Sequence, residues 1–196
     1  MSAKSDILAR LRASLADAPA APEAPREYRR ESTLNADQTR EMLVDRLEDY
    51  KASVHSAAVP DDLPAVLGEL ISGAVVLPDG FERAWLPAID EVEDPLEAAC
   101  VITSSTVSCA ETGTIILTGR PEEGHRKLSL IPDHHICIVL ADTIVELFPE
   151  AWGRVHDTGL EGPITMISGP SATSDIELER VEGVHGPRRL DVVILG

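Results

Sequence analysis

Apolar residues in the first fifteen positions fall at helical spacing. Ile7, Leu8, Leu11 and Leu15 share one stripe of the segment Ser5–Leu15, which predicts a short amphipathic helix with no domain around it. Ala18-Pro-Ala-Ala-Pro-Glu-Ala-Pro follows, a stiff extended linker that cannot continue a helix. A second helix is predicted from an N-cap at Asn35 or Asp37 through Met42, Leu43, Leu47 and Tyr50. Beyond it, short apolar runs alternate with helical ones. Asp61–Ile71 reads as a helix with Pro64 in its first turn, and Ala74–Leu77 as a buried strand. Val101–Thr103, Gly113–Thr118, Ile164–Ile167 and Leu190–Leu195 read as strands, and Ser129–Leu140 contains another. Asp142–Leu147 reads as a helix.

Strands of four to six residues alternating with helices predict an α/β sheet covered on both faces and mostly parallel. One exception is expected. No helix separates the strand ending at Thr118 from the strand beginning near Ser129, so the loop 118–124 should close an antiparallel hairpin. The chain thus divides into a helical arm and linker over residues 1–34 and an α/β domain over residues 35–196.

Composition changes this picture in two ways. Among 196 residues, 34 are Asp or Glu and 17 are Lys or Arg, a formal charge of −17. A field of that sign repels nucleic acid and anionic membranes, so neither is expected as a partner. Aromatic residues make up only 3%, so the core is aliphatic. The charge is also uneven. Residues 1–51 carry nine basic groups against ten acidic ones, and the rest of the chain carries eight against twenty-four. No signal-peptide h-region and no apolar run near the ~20 residues of a membrane span is present, so a cytoplasmic location without a membrane span is expected. Cys100, Cys109 and Cys137 lack C-x-x-C spacing and read as reduced core thiols, leaving no metal site and no cluster on this chain.

Four segments can carry chemistry. In Cys109-Ala-Glu111-Thr112-Gly113-Thr114 a carboxylate and two hydroxyls precede an apolar strand, and Gly113 allows close backbone approach. The other reading is a polar strand start with Glu111 on the surface. Gly124-His125-Arg126-Lys127 brings two cations into the acidic part and leads to Pro132-Asp133-His134-His135. Neighbouring histidines on a strand point to opposite faces and cannot chelate one ion together. Ile167-Ser168-Gly169-Pro170-Ser171 runs toward a short helix whose N–H groups and hydroxyls suit an anion. The same residues equally describe an N-capped helix with Ser171 or Ser174 as cap. Gly183-Val-His185-Gly186-Pro187-Arg188-Arg189 is a tight loop. There His185 is either catalytic or structural, and Arg188 and Arg189 either bind an anion or offset nearby acids. Six of the eight cations after residue 51 (Arg120, Arg126, Lys127, Arg180, Arg188 and Arg189) lie in or beside these segments. That clustering predicts a focused site for a small anion.

Taken together, Ala-Glu-Thr-Gly-Thr (110–114), Leu-Ser-Leu-Ile-Pro-Asp-His-His (128–135), Ile-Ser-Gly-Pro-Ser-Ala-Thr-Ser-Asp-Ile-Glu (167–177) and Gly-Val-His-Gly-Pro-Arg-Arg-Leu (183–190) resemble the LUD-domain family over essentially the whole chain. The resemblance implies a Rossmann-like sheet of the NagB/RpiA/CoA-transferase type. It also implies a role in bacterial oxidation of L-lactate to pyruvate beside two iron–sulfur partner proteins, which would hold the clusters. The clustering of cations and loop glycines, and not the resemblance, makes Glu111, Thr112, Gly113 and Thr114 one wall of an expected ligand site, with Ser168, Gly169 and Ser171 cradling the anion. Arg126 and Arg188 meet its charge, and Glu111 and His185 are the candidate catalytic groups. Cys109 and the Asp133-His134-His135 stretch are taken as local variation. The alternative is a free-standing CoA-transferase-like or folate cyclo-ligase-like enzyme using Glu111 as nucleophile or base. A further reading is an assembly module whose N-terminal helix docks on a partner.

Overall fold

A computed structural model describes residues 2–17, 22–159, 162–173, 181–183 and 185–196. Helix α1 (Ala3–Ser14) starts on the Ser2 hydroxyl and buries none of its residues. Residues 22–34 form no helix or strand and lead into α2 (Ala36–Asp49), whose start is a reciprocal capping box. Asn35 Oδ1 accepts the Gln38 N–H at 2.9 Å, and Gln38 Oε1 accepts the Asn35 N–H at 3.1 Å. Strand β1 (Ser53–Ala57) follows, then a 3-10 turn over Pro60–Asp62 leading into α3 (Leu63–Leu70), with Pro64 in the first turn as expected. The remaining elements are β2 (Val75–Val76), β3 (Cys100–Thr103), β4 (Val107–Cys109), β5 (Thr114–Leu117), β6 (His134–Leu140), β7 (Ile144–Val145), α4 (Phe148–Asp157), β8 (Thr165–Ile167), β9 (Ala172–Thr173), β10 (Val181–Glu182) and β11 (Arg189–Leu195).

The described strands form three sheets. A five-stranded sheet in the order β1-β11-β6-β3-β2 is parallel throughout. A mixed four-stranded sheet has the order β7-β4-β5-β8, and β9 pairs antiparallel with β10. On one face of the parallel sheet, Ile136, Ile138, Ile102 and Val193 pack against Leu63, Leu67 and Leu70 of α3. On the other, Cys137, Val139, Val192 and Ile194 meet Leu43 and Leu47 of α2 together with Ile115 and Leu117 of the mixed sheet. Helix α4 covers the outer side of the mixed sheet through Ala151 and Val155. The chain is therefore an α/β protein with layers α3, parallel sheet, α2 with mixed sheet, and α4.

Three local expectations are corrected. The segment before Thr118 and the strand after Ser129 do not pair. The first, β5, pairs antiparallel with β4 and β8, while β6 joins the centre of the parallel sheet. The run Ile136–Val139 is buried on both faces, a burial that only a central parallel position supplies. The connecting loop is turned by a fully buried carboxylate, not by hairpin pairing. Glu123 accepts the N–H groups of Thr118 at 2.6 Å, Gly119 at 3.0 Å and Arg120 at 3.2 Å, and a hydroxyl bond from Thr106.

Second, Asp142–Leu147 is not a helix. Ala141–Thr143 is one 3-10 turn, Ile144–Val145 pairs with β4, and the helix begins at Phe148 with Pro149 in its first turn. Third, the chain after Ser171 opens as a strand, Ala172–Thr173, paired with Val181–Glu182. Residues 174–180, including the proposed cap Ser174, lie outside the described residues.

Candidate functional site

Three of the four motif segments meet, and the first touches them only through Thr114, bonded to Ser168. Between the parallel and mixed sheets, at the amino ends of β6 and β11 and beyond the end of β8, lies a cleft of about 260 Å³. Its polar lining includes Arg126, Ser129, His135, Ser168, Ser171 and His185. Among the described residues that line it, Arg126 is the only Lys or Arg, and there is no Asp or Glu. In a chain with 34 acidic residues, a lining with a guanidinium and no carboxylate among the described residues sets the cleft apart from the rest of the surface.

Each wall has an identifiable support. Arg126 lies in the loop turned by Glu123, and its Nη1 donates to Ser129 Oγ at 3.2 Å. The Ser129 hydroxyl in turn donates to the Arg126 carbonyl at 3.3 Å, so guanidinium and loop backbone are held together. Ser168 follows β8, and its Oγ bonds Thr114 Oγ1 at 2.8 Å, tying it to the start of β5. Ser171 closes the third wall. Its N–H donates to the Pro187 carbonyl at 2.8 Å, its carbonyl accepts from Gly183 N–H at 2.9 Å, and its Oγ accepts from His185 N–H at 3.0 Å. It therefore links two loops instead of capping a helix.

Other expected site residues stand elsewhere. Glu111 sits in the β4–β5 turn, half exposed, with Arg29 Nη2 at 3.1 Å from its carboxylate. Nothing at its position supports a nucleophile's role. Thr112 donates to Thr114 at 2.8 Å, and neither lines the cleft. Gly113 and Gly169 are needed for a reason other than ligand approach. Both have positive φ, +59° and +114°, and a Cβ at either would press on the C-terminal end of α2. The contacts would be 2.8 Å to Arg46 Cβ and 2.7 Å to both the Tyr50 carbonyl oxygen and Cβ. Gly169 nonetheless also lines the cleft.

The cations share the cleft less than their clustering suggested. Arg120 pairs with Glu122, Arg188 with Asp133 at 3.5 Å and Arg189 with Asp191 at 2.6 Å, while Lys127 is exposed. Arg188 does not line the cleft. Arg180 lies outside the described residues.

The adjacent histidines point to opposite faces, as strand geometry requires. His134 Nε2 reaches Asp191 Oδ2 at 2.6 Å on the α3 side, and His55 Nε2 reaches Asp191 Oδ1 at 2.7 Å. Asp191 is fully buried. Burial raises its pKa, but the bonds from His134, His55 and Arg189 outweigh that and hold the carboxyl well below its usual range. His135, passed over as local variation, faces the cleft with Nε2 on Thr103 Oγ1 at 2.8 Å. Burial, then interactions with His134 and the Arg126 guanidinium, push its pKa down to about 3, so the ring is neutral. The available signal was the alternation itself, since one of two neighbouring strand histidines had to face the motif side.

A parallel α/β domain with a second, mixed sheet and a polar cleft between them is the class of protein these features define. Residues 90–195 match the LUD domain, and the chain belongs to the LUD-domain family. It is 43% identical over 188 residues to lactate utilization protein C of Deinococcus radiodurans, a match spanning 89% of this chain and 88% of the relative. It is 29% identical to lactate utilization protein C of an Exiguobacterium species, over 81% of this chain and 76% of that protein. The match to lactate utilization protein C 1 of Bacillus mycoides, 34% identical, spans only 51% of that relative. The crystal structure of a DUF162 family protein from Deinococcus radiodurans superposes with a TM-score of 0.71 at 33% identity. That match covers 83% of this chain and 99% of the other. Among the described residues no helix is long and apolar enough to cross a membrane, and no group of three or more His, Cys, Asp or Glu is placed to hold a metal ion.

Proposed function

We propose that this chain is the non-cluster subunit of a bacterial L-lactate oxidation system and that the Arg126 cleft binds its small anionic ligand. Relatives named for lactate utilization support the first part. A lining with a guanidinium, several hydroxyls and no carboxylate among the described residues carries the second. In this reading the protein is cytoplasmic, and iron–sulfur proteins of the same system are its partners and hold the clusters. The chain carries no cofactor of its own, and its sheet is of the NagB/RpiA/CoA-transferase kind. Residues 35–196 form the ligand-binding domain, and 1–34 the arm available to a partner.

Calorimetric titration of the full-length chain, alone and with its partner proteins, with L-lactate and with pyruvate tests the ligand site. One of the two acids is expected to bind, and Arg126→Gln should weaken it at least about tenfold by removing the charged partner. Absence of binding for both acids in both settings sinks the ligand site. A strain lacking this chain should lose growth on L-lactate; unimpaired growth sinks the metabolic role.

A further inference from the structure

We infer that Arg126 holds the acid group of an extended ligand whose apolar tail lies in a second cavity beside the cleft, so that long carboxylates bind more tightly than short ones. This inference rests on the anion site proposed above and names the body of the ligand that the site accepts. Two adjoining spaces of different chemistry carry it.

The second cavity, of about 220 Å³, lies where β5 ends at Leu117 and β8 begins at Thr165, two residues paired across the mixed sheet. Arg126, Ser129 and Thr165 line both spaces, so the guanidinium stands at their junction. The cleft is otherwise walled by polar groups, among them Ser168, Ser171, His135 and His185. The second cavity is walled instead by Leu117, Thr118, Pro163 and three glycines, Gly119, Gly124 and Gly162, with the exposed His125 completing it.

The polar atoms of that wall are already engaged. Thr118 gives its N–H to Glu123 at 2.6 Å and bonds Thr106 through its hydroxyl at 2.9 Å. Gly119 gives its N–H to Glu123 at 3.0 Å, and Gly124 gives its own to the Arg120 carbonyl at 2.9 Å. The Ser129 hydroxyl is bonded to Arg126. A guanidinium carries several N–H donors, and Arg126 commits one of them to Ser129. The donors left for an anion are therefore on Arg126, and the space next to it offers contact instead of hydrogen bonds. A carboxylate on Arg126 meets the charge, and an alkyl tail leaves water for the second cavity. A third space also touches Arg126, beside Leu130 and Ile131, but its wall includes the carboxylate of Asp133, which disfavours an anion at that side.

Ligand-observed NMR titration of the full-length protein with butanoate, hexanoate and octanoate reads the tail directly. Affinity should rise along the series, by at least about tenfold from butanoate to octanoate. Gly162 is the place to close the cavity, since a Cβ there meets the Thr118 carbonyl oxygen at an ordinary 3.6 Å. Gly162→Val should bring octanoate down to the level of butanoate and leave butanoate unchanged, whereas Arg126→Gln should weaken both. Octanoate bound no more tightly than butanoate, or a gain that survives Gly162→Val, overturns the inference and leaves the anion site standing. If no acid binds, L-lactate and pyruvate included, both readings fall. A measurement independent of any variant is the intermolecular NOE from the octanoate methyl group. It should reach Leu117, and contacts to Leu130 or Ile131 in its place overturn the inference.

Discussion

His135 is neutral in the fold because burial first, and then its interactions with His134 and Arg126, oppose its protonation. In the unfolded chain the same ring protonates near its ordinary value of about 6.5. Between that value and about 3, the unfolded state therefore binds a proton that the folded state refuses, and stability falls as the pH is lowered through this window. The contribution to the slope is at most about 1.4 kcal/mol per pH unit. Urea unfolding at pH 7, 6 and 5 should show the decline, and His135→Gln should flatten it. Another residue-scale effect belongs to Gly169. With φ at +114° and the Tyr50 carbonyl oxygen 2.7 Å from any added Cβ, Gly169→Ala should cost about 1–3 kcal/mol in the same assay.

At the scale of elements, two buried carboxylates fasten segments without regular structure. Glu123 turns the loop that carries Arg126. Glu146, almost wholly buried just after β7, accepts from the Ser32 hydroxyl at 2.7 Å, the Thr33 N–H at 2.7 Å and the Leu34 N–H at 3.1 Å, with Arg29 at 3.0 Å. The bonds from Ser32 and Thr33, joined by Leu34 and Arg29, outweigh burial and hold its pKa below the ordinary carboxylate range. Glu146→Gln keeps the shape but removes the charge and replaces one acceptor with a donor. Amide hydrogen exchange should then speed up at Thr33 and Leu34 while the strands of the parallel sheet keep their protection. Unchanged exchange at those amides would show that the arm is held by something else. Polar strands were the elements that hydropathy missed. β1, Ser-Val-His-Ser-Ala, and β4, Val-Ser-Cys, lack an apolar run or are embedded in one that reads as polar. Around β4 the hydroxyls of Ser105 and Thr106 are buried because the Ile138 carbonyl and Thr118 satisfy them, a pairing visible only after the sheets have packed.

For the whole molecule, α1 is the detached piece. None of its residues is buried, and Ile7, Leu11 and Leu15 are more than half exposed. Removing residues 1–17 should therefore move the thermal midpoint by less than about 2 °C, since a shift of that size corresponds to under 1 kcal/mol in a domain of this length. A larger loss would mean that the helix packs on the domain. Extending the deletion to residue 34 removes every donor to Glu146 named above and should lower the midpoint further.

Helices α2 and α3, the apolar strands, the aliphatic core and the loops that carry polar groups were legible in the sequence, because periodicity and turn chemistry act over a few neighbouring residues. The Asn35 cap, Pro64 in its first turn and the opposite faces of His134 and His135 are all consequences of local geometry. The partner of each strand was not local. β5 left the strand that follows it in sequence for β4 and β8, since β6 had two apolar faces to bury and Glu123 turned the loop between them. The cleft follows the same division. Sequence placed Arg126, Ser168, Gly169, Ser171 and His185 in motifs, and packing of the two sheets brought them together, left Glu111 outside with Arg29, and added His135. Convergence of residues dozens of positions apart depends on long-range burial and hydrogen-bond satisfaction, which only the tertiary structure decides.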